Sequence, residues 1–101
     1  MSLNTYKKIL CFDLDGVICK TDKNHYARSV PIKKNIRLIN KLFLEGYYIK
    51  IFTARGMGRS NDNVVIARNK LYDLTKRQLK RWKVKFHKIE LSSVLNEILK
   101  R

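Results

Sequence analysis

Two aspartates stand one residue apart at the end of an apolar run near the start of the chain. Residues 9–17 read ILCFDLDGV, so Asp13 and Asp15 directly follow ILCF. Neighbouring carboxylates raise each other's pKa unless a cation intervenes, and Mg²⁺ removes that conflict because it prefers oxygen ligands. One carboxylate could then attack phosphorus as a nucleophile while the other transfers a proton. The alternative interpretation is a polar turn in which Asp forms local hydrogen bonds.

The charge of the chain makes a close pair of acids unusual. Its 101 residues include 23 Lys and Arg but only 8 Asp and Glu, which gives a formal net charge of +15. Such a chain attracts polyanions, whether nucleic acid, an acidic membrane surface or a phosphorylated small molecule.

No apolar run approaches the ~20 residues of a membrane span, and the first residues make a poor signal peptide. We therefore expect a cytoplasmic protein with no membrane partner.

Strands and helices alternate along the rest of the chain. Apolar and β-branched runs predict three strands, at residues 7–12, 47–52 and 84–89. Apolar residues at helical spacing predict four helices, which begin at Pro31, at Asn61 or Asp62, at Thr75 and near Ser92. Gly46 is predicted to end the first helix, and residues 19–31 to form a flap. This order predicts one α/β domain over residues 1–101, a Rossmann-like three-layer sandwich around a short parallel sheet.

Polar residues follow the first two predicted strands. Asp13 and Asp15 come after the first strand, and Thr53 and Arg55 come after the second. Because ligands of parallel sheets bind beyond the carboxyl ends of the strands, we expect these four residues at one rim. Thr53 has the alternative role of capping the loop that follows it. Arg55 either binds a substrate phosphate through two donors or is a solvated surface arginine, and the sequence favours neither.

Three segments resemble haloacid dehalogenase-like (HAD) phosphatases. ILCFDLDGV is similar to the first motif of that family, an apolar strand followed by Asp-x-Asp-Gly and then Thr or Val. YIKIFTAR is similar to the second motif, an apolar strand that ends in Thr or Ser. LYDLTKRQLKRWKVKFHKI is similar to small bacterial members, and the short gap between the motifs is typical of members with little or no cap domain. The resemblance covers roughly residues 7 to 89.

The resemblance implies a Mg²⁺-dependent phosphatase that acts on a small phosphorylated metabolite, such as a phosphosugar. Asp13 would be the nucleophile that forms an aspartyl-phosphate, and Asp15 would be the general acid and base. The carboxylate of Asp13 and the backbone carbonyl of Asp15 would hold the metal. Thr53 would donate a hydrogen bond to a phosphoryl oxygen. The substrate-binding residues that the resemblance implies are Gly16, Ala54 and Arg55.

The chain departs from the family after the third predicted strand. FHKI is followed by ELSSVLNEILKR, as in a member truncated before the Gly-Lys-Pro lysine and the acidic pair of the last two motifs. Lys88 is the nearest candidate for the catalytic lysine, although an exposed lysine beside a strand is the stronger interpretation. Residues 90–101 are predicted to form an atypical C-terminal helix. The first strand then lies at a sheet edge, which predicts that this helix covers it or that two chains pair there as a homodimer.

Two further functions compete with an active phosphatase. A truncated family member could bind metal or phosphate without catalysis. A basic cluster beside Trp82 could instead form a nucleic-acid-binding module, or the binding surface of a phosphatase for nucleic-acid ends; it comprises Lys76, Arg77, Lys80, Arg81 and Lys83. A solvated helix face is the stronger interpretation of this cluster, since a basic surface is only an electrostatic footprint.

Overall fold

A three-stranded parallel sheet with two helices forms the centre of the fold. The structure, a computed structural model, describes residues 5–55 and 64–91. Its elements are β1 (Ile9–Asp13), β2 (Cys19–Lys20), β3 (Val30–Pro31), α1 (Lys33–Leu44), β4 (Tyr48–Thr53), α2 (Val64–Arg81) and β5 (Lys88–Leu91). The parallel strands lie in the order β1-β4-β5, and β2 pairs with β3 in an antiparallel ribbon. These features confirm the predicted α/β class with a short parallel sheet.

The core lies where the two helices meet the central strand. Side chains along β4 alternate in burial, and Ile49 and Ile51 are fully buried. They join one cluster with Ile36 and Ile39 of α1 and Leu79 of α2. Alternation with period two places one face of the strand toward both helices, as apolar patterning requires. The third layer of the predicted sandwich stays a prediction, since both described helices contribute to this one core.

Helix α1 ends at the predicted glycine. Gly46 has a φ of +100°, in the left-handed region that favours glycine. Its N–H donates to the carbonyl of Phe43 at 3.2 Å, and the N–H of Tyr47 donates to the carbonyl of Leu42 at 3.2 Å. These two bonds form a Schellman motif, which satisfies carbonyls that the helix itself leaves unpaired.

Helix α2 ends in the same motif without a glycine. The N–H of Lys83 donates to the carbonyl of Lys80 at 3.1 Å, and that of Val84 donates to the carbonyl of Leu79 at 3.0 Å. Lys83 has a φ of +59°, so a lysine occupies the left-handed position that glycine usually takes. The backbone therefore turns sharply into the segment that leads to β5.

Two helix boundaries differ from the predictions. Helix α2 runs unbroken through Thr75, so the predicted new helix at this residue is wrong. The hydroxyl of Thr75 accepts a bond from the Arg55 side chain, so a tertiary contact replaces the predicted cap. Pro31 lies in β3 opposite Cys19, and α1 begins at Lys33, two residues later than predicted. Proline tolerates this short strand because it lacks only the N–H that an edge position can spare.

The third parallel strand begins later than the alternating pattern predicts. Regular pairing starts at Lys88, although the prediction began the strand at Val84. His87 pairs with Ile49 through both backbone and side chain: its N–H donates to the carbonyl of Ile49 at 2.9 Å, and its Nδ1 accepts the N–H of Ile49 at 3.0 Å. The imidazole thus accepts a backbone N–H that would donate to a backbone carbonyl in a regular strand pair.

Strand β1 lies at one edge of the described sheet, as predicted. Glu90 and Leu91 are the last residues of β5, so the helix predicted over residues 90–101 does not begin at residue 90. The remainder of that helix lies outside the described residues, and the homodimer through β1 stays a prediction. In the described part of the chain, no helix is long and apolar enough to cross a bilayer.

Candidate active site

The ends of β1 and β4 bring the predicted site residues to one rim. Asp13 is the last residue of β1 and lies in register with Phe52, one residue before Thr53 ends β4. The chain then leaves the sheet, and the N–H of Leu14 donates to the carbonyl of Phe52 at 2.8 Å. Gly16 turns the backbone with a φ of +103°, a conformation that other residues rarely adopt. The loop after β1 therefore begins beside the end of β4.

Asp13 presents a free carboxylate at this rim. It is exposed. Within residues 5–55 and 64–91, its side chain takes part in no ion pair or hydrogen bond. In a chain with a net charge of +15, an acid without a basic partner is available to a metal or a substrate.

Asp15 is held by the side chain of Arg55. Nε of Arg55 donates to Oδ2 of Asp15 at 3.1 Å, and Nη2 donates to Oδ1 at 2.9 Å. The hydroxyl of Thr21 donates to Oδ1 at 2.6 Å. Burial by itself raises the pKa of Asp15, but the bonds from Arg55 and Thr21 and the charge of Arg55 outweigh it, so the pKa lies below its ordinary value. Asp15 is therefore a carboxylate at neutral pH.

Arg55 is buried and fully partnered. It is only 2% exposed, so the interpretation of a solvated surface arginine is wrong. Nη1 donates to the hydroxyl of Thr75 at 3.1 Å and to Oε1 of Gln78 at 2.6 Å, while Nη2 also donates to the hydroxyl of Ser29 at 3.1 Å. Together with the two bonds to Asp15, these contacts use all five guanidinium N–H groups. Binding of a substrate phosphate by Arg55 stays a prediction, and in this conformation it has no N–H left to donate.

The flap at residues 19–31 covers the ion pair. The ring of Tyr26 lies 4.9 Å from the guanidinium carbon of Arg55, in cation–π geometry. Gln78 donates from Nε2 to the carbonyl of Tyr26 at 2.7 Å, which fastens the flap to α2. The hydroxyls of Thr21 and Ser29 are in hydrogen-bond contact at 2.5 Å. The flap therefore excludes water from Arg55 and fixes the orientation of Asp15.

The thiol of Cys19 lies in the same network. Its Sγ is 3.4 Å from Oδ1 of Asp15, and it is fully buried. Burial and the charge of Asp15 raise the pKa of this thiol. Cys19 is therefore a protonated thiol that donates to Asp15, not a nucleophile.

The other predicted site residues are placed differently. Thr53 is 5% exposed, and its Oγ1 accepts the N–H of Arg55 at 3.1 Å, so its own proton remains available for donation. Ala54 is exposed beside it. Lys88 lies in register with Lys50 at the start of β5, which is two residues, or about 7 Å along a strand, before the level of Asp13. Its Nζ is 3.7 Å from Glu90, so the structure does not bring Lys88 to the rim, and its catalytic role stays a prediction.

Several partners of Asp15 and Arg55 were not predicted from the sequence. They are Thr21, Ser29, Thr75 and Gln78. A signal existed for two of them, since Thr75 and Gln78 are buried on the same stripe of α2 as Leu79. A polar residue on a core-facing stripe requires a buried partner, and that rule points to an unassigned polar network. No comparable pattern marks Thr21 or Ser29 within the flap.

Among the described residues, the rim can offer a metal two oxygen ligands. Both carboxylate oxygens of Asp15 are already bonded to Arg55, which leaves its backbone carbonyl and the free carboxylate of Asp13. Mg²⁺ is commonly held by one or two protein oxygens, with waters and a substrate phosphate completing the shell. The described residues contain no group of three or more His, Cys, Asp or Glu side chains that could hold a metal. These two oxygens fit a Mg²⁺ ion that keeps several of its waters.

Comparisons with solved structures establish the fold. A structural-genomics target from Vibrio cholerae has a TM-score of 0.74 and 24% identity, over 85% of this chain and 70% of that one. A Pnkp1/Rnl/Hen1 complex has a TM-score of 0.65 and 14% identity, over 87% of this chain and 29% of that one. A Pnkp1/Rnl/Hen1 RNA repair complex has a TM-score of 0.63 and 14% identity, over 89% of this chain and 27% of that one. No family model and no curated protein matches the chain.

Proposed function

We propose that this chain is a Mg²⁺-dependent phosphatase of the HAD type that hydrolyses phosphate monoesters. The observation that carries the proposal is the pair at the rim: an exposed Asp13 without a side-chain partner among residues 5–55 and 64–91 and, two residues later, an Asp15 held ionised by a buried arginine. The motifs around both aspartates support it, as does the position of the rim at the carboxyl ends of parallel strands. A free acid beside a fixed acid gives the two carboxylates different roles.

The first step joins Asp13 to the phosphoryl group. One Oδ of Asp13 attacks phosphorus while the bond from phosphorus to the ester oxygen breaks, and the leaving oxygen takes a proton from Asp15. The negative charge of a bound phosphate would raise the pKa of Asp15 and so let it carry that proton. The hydroxyl proton of Thr53 is free to be donated to a phosphoryl oxygen. Bound Mg²⁺ would neutralise the charge between Asp13 and the phosphate.

The second step releases the phosphate. Asp15 takes a proton from a water molecule, the water oxygen attacks phosphorus, and the bond between phosphorus and Oδ of Asp13 breaks. Arg55 suits Asp15 to this step in particular, because it holds the carboxylate in its basic form. Arg55 acts here as a positioning residue, since it touches Asp15 rather than the reacting atoms.

Hydrolysis of an aryl phosphate tests the proposal. We expect turnover with Mg²⁺, none with a chelator, and a loss of at least about 10³-fold in Asp13→Asn. Because Asp13 is exposed and has no side-chain partner in the part of the chain that the structure describes, this substitution should leave the unfolding transition unchanged. Asp22→Asn is the matched control, since Asp22 is an exposed acid in the flap without a described side-chain partner. Absence of turnover in the folded wild type, or full activity in Asp13→Asn, overturns the proposal.

A further inference from the structure

A basic groove lies between α1 and the end of α2. Its volume is about 450 Å³. The polar and aromatic residues that line it are Lys33, Arg37, Asn40, Arg81, Trp82 and Lys83. Asn40 fixes the two walls relative to each other, because its Nδ2 donates to the carbonyl of Lys83 at 2.9 Å and its Oδ1 accepts the N–H of Lys85 at 2.7 Å.

The cations of the groove have no acidic partner in the part of the chain that the structure describes. Lys33, Arg37, Arg81 and Lys83 are exposed, and no acidic residue lines the groove. None of the four takes part in an ion pair among the described residues. Four unpaired cations around one hollow produce a field that concentrates phosphates, as in a groove that follows a nucleic-acid backbone.

Trp82 supplies a contact that a simple polyanion cannot use. It is the only tryptophan in the chain, and it is half-buried against the core while it also lines the groove. An anchored aromatic ring beside cations is the combination that binds single-stranded nucleic acid, because bases stack on the ring while phosphates contact the cations. Stacking is sequence-tolerant, so this arrangement predicts binding without strong base preference.

Lys83 occupies its place in the groove at a conformational cost. Its φ of +59° is one that a side chain disfavours and that glycine adopts freely. The Schellman motif at the end of α2 would form equally well with glycine. Lys83→Gly therefore removes the cation while it leaves the turn intact, which makes it a direct test of the side chain.

One end of the groove lies near the loop that carries Asp15. The start of α1 is bonded to the loop after Asp15, since the N–H of Ile32 donates to the carbonyl of Ile18 at 2.8 Å. Nδ2 of Asn35 donates to the carbonyl of Val17 at 2.8 Å. Lys33 lies at this end of the groove, and Asn40 lies about 10 Å farther along the helix.

We propose that this groove binds single-stranded nucleic acid and directs a phosphorylated end of the strand to Asp13. Binding in the groove is independent of catalysis, whereas the identity of the substrate rests on the proposed phosphatase function. The four cations and Trp82 hold the strand, and the start of α1 connects them to the loop that carries Asp15.

Fluorescence of Trp82 tests the binding. We expect quenching by an oligothymidylate of about ten nucleotides, with a plot of log affinity against log salt whose slope is about −3, or about −0.7 for each of four cations. Arg37→Ala and Lys83→Gly should each weaken binding and make the slope less steep by about 0.7. Lys70→Ala is the control with the same change of charge, because Lys70 is exposed on α2 outside the groove.

Two results would overturn the binding. One is an absence of quenching by the oligonucleotide. The other is equal affinity and equal quenching by inorganic polyphosphate, or by vesicles of anionic lipid, since either would show that charge alone is recognised.

Kinetic measurements distinguish a failure of the substrate assignment from a failure of the phosphatase proposal. The KM for an oligonucleotide phosphorylated at its 5′ or 3′ end should be lower than that for an aryl phosphate. Arg37→Ala should raise the KM for the oligonucleotide only. If Arg37→Ala affects both substrates equally, or if the oligonucleotide is not hydrolysed while the aryl phosphate is, the substrate assignment fails while the phosphatase proposal stands. If neither is hydrolysed while quenching persists, the phosphatase proposal fails, and with it the substrate assignment, but the binding groove stands.

Discussion

The guanidinium of Arg55 contacts both carboxylate oxygens of Asp15, at 3.1 Å from Nε and 2.9 Å from Nη2. The side chain of Arg55 is 1% exposed, whereas that of Asp15 is 31% exposed, so Asp15 is the member of the pair that faces the rim. Two donors in a planar fork fix the orientation of the carboxylate as well as its charge. The arrangement places a buried cation behind the proposed general acid and base, where a substrate phosphate would approach from the other side.

Removal of this cation should destabilise the fold. Arg55→Met should lower the free energy of unfolding by about 3 kcal/mol, because Asp15, Thr75 and Gln78 would lose a buried donor at once. Urea denaturation measures the change, with Arg77→Met, an exposed arginine of α2, as the control. A loss below about 1 kcal/mol would show that these contacts contribute little.

The coupling between the two residues can be measured separately. Asp15→Asn leaves a buried guanidinium without its counter-charge, and so should destabilise by about 2 kcal/mol or more. In the double variant with Arg55→Met, the losses should fall short of additivity by about 1–3 kcal/mol, because each single change already breaks the same pair. Additive losses would mean that the contact is incidental.

Asp15 should matter most when the leaving group needs a proton. A nitrophenolate leaves without protonation, whereas an alkoxide does not. Asp15→Asn should therefore slow the first step, measured as the pre-steady-state release of the alcohol, by about 10²–10⁴-fold with an alkyl phosphate and much less with a nitrophenyl phosphate. The rates are measured where Trp82 fluorescence shows that the variant is folded. Equal losses with both substrates would remove Asp15 from the role of general acid.

The position of Asp13 and Thr53 at the rim could be predicted from the sequence, whereas the burial of Arg55 could not. Asp13 and Thr53 end adjacent strands whose apolar residues are recognisable locally, so their proximity follows from strand order alone. The burial of Arg55 could not be found in this way, because it depends on Thr75 and Gln78, which follow by at least 20 residues. Thr75 fits a helix-start motif equally well, and only the tertiary contact decides between the two roles.

The later start of β5 shows the same limit. The residues VKFHKI alternate as a strand should, but His87 uses its ring nitrogen where a strand would use its backbone. The periodicity of a sequence indicates on which face of a strand a side chain lies. It does not reveal that a side chain accepts a hydrogen bond in place of a backbone carbonyl. The ends of the helices were easier to predict where glycine marked them, as at Gly46, than where Lys83 took the same conformation.

Stability should fall in mild acid because of His87. Burial lowers its pKa below the ordinary value of 6.5, and its Nδ1 must be unprotonated to accept the N–H of Ile49. Its ring also stacks between Phe43 and Tyr48, with centroids 4.5 Å away on each side. The folded state therefore favours the neutral ring, so the stabilisation is present above pH 6.5 and is lost as the pH falls from there toward the folded-state pKa.

Urea denaturation at about pH 7.5 and about pH 5.5 measures this loss. His87→Asn should remove most of the difference between the two values, since Oδ1 of asparagine is attached to Cγ as Nδ1 is, and can accept the same bond without titrating. His25→Asn should leave the difference intact, because His25, the other histidine of the chain, is exposed in the flap. An unchanged pH dependence in His87→Asn would assign the effect to other groups.

The two Schellman motifs predict opposite effects of glycine on stability. Gly46→Ala should lower the free energy of unfolding by about 1 kcal/mol, because a side chain disfavours a φ of +100°. A Cβ there would meet no closer atom than the Lys7 side chain at 3.9 Å, so the cost is conformational rather than steric crowding.

Lys83→Gly should instead raise the free energy of unfolding by up to about 1 kcal/mol, since it relieves the same strain at a φ of +59°. Its backbone carbonyl, which accepts from Asn40, is retained. Thermal or urea unfolding of both variants and the wild type shows whether each substitution lowers or raises the free energy of unfolding. If Lys83→Gly destabilises the protein, the lysine side chain stabilises the turn itself; if it stabilises the protein while weakening oligonucleotide binding, the lysine is kept for the groove at the expense of stability.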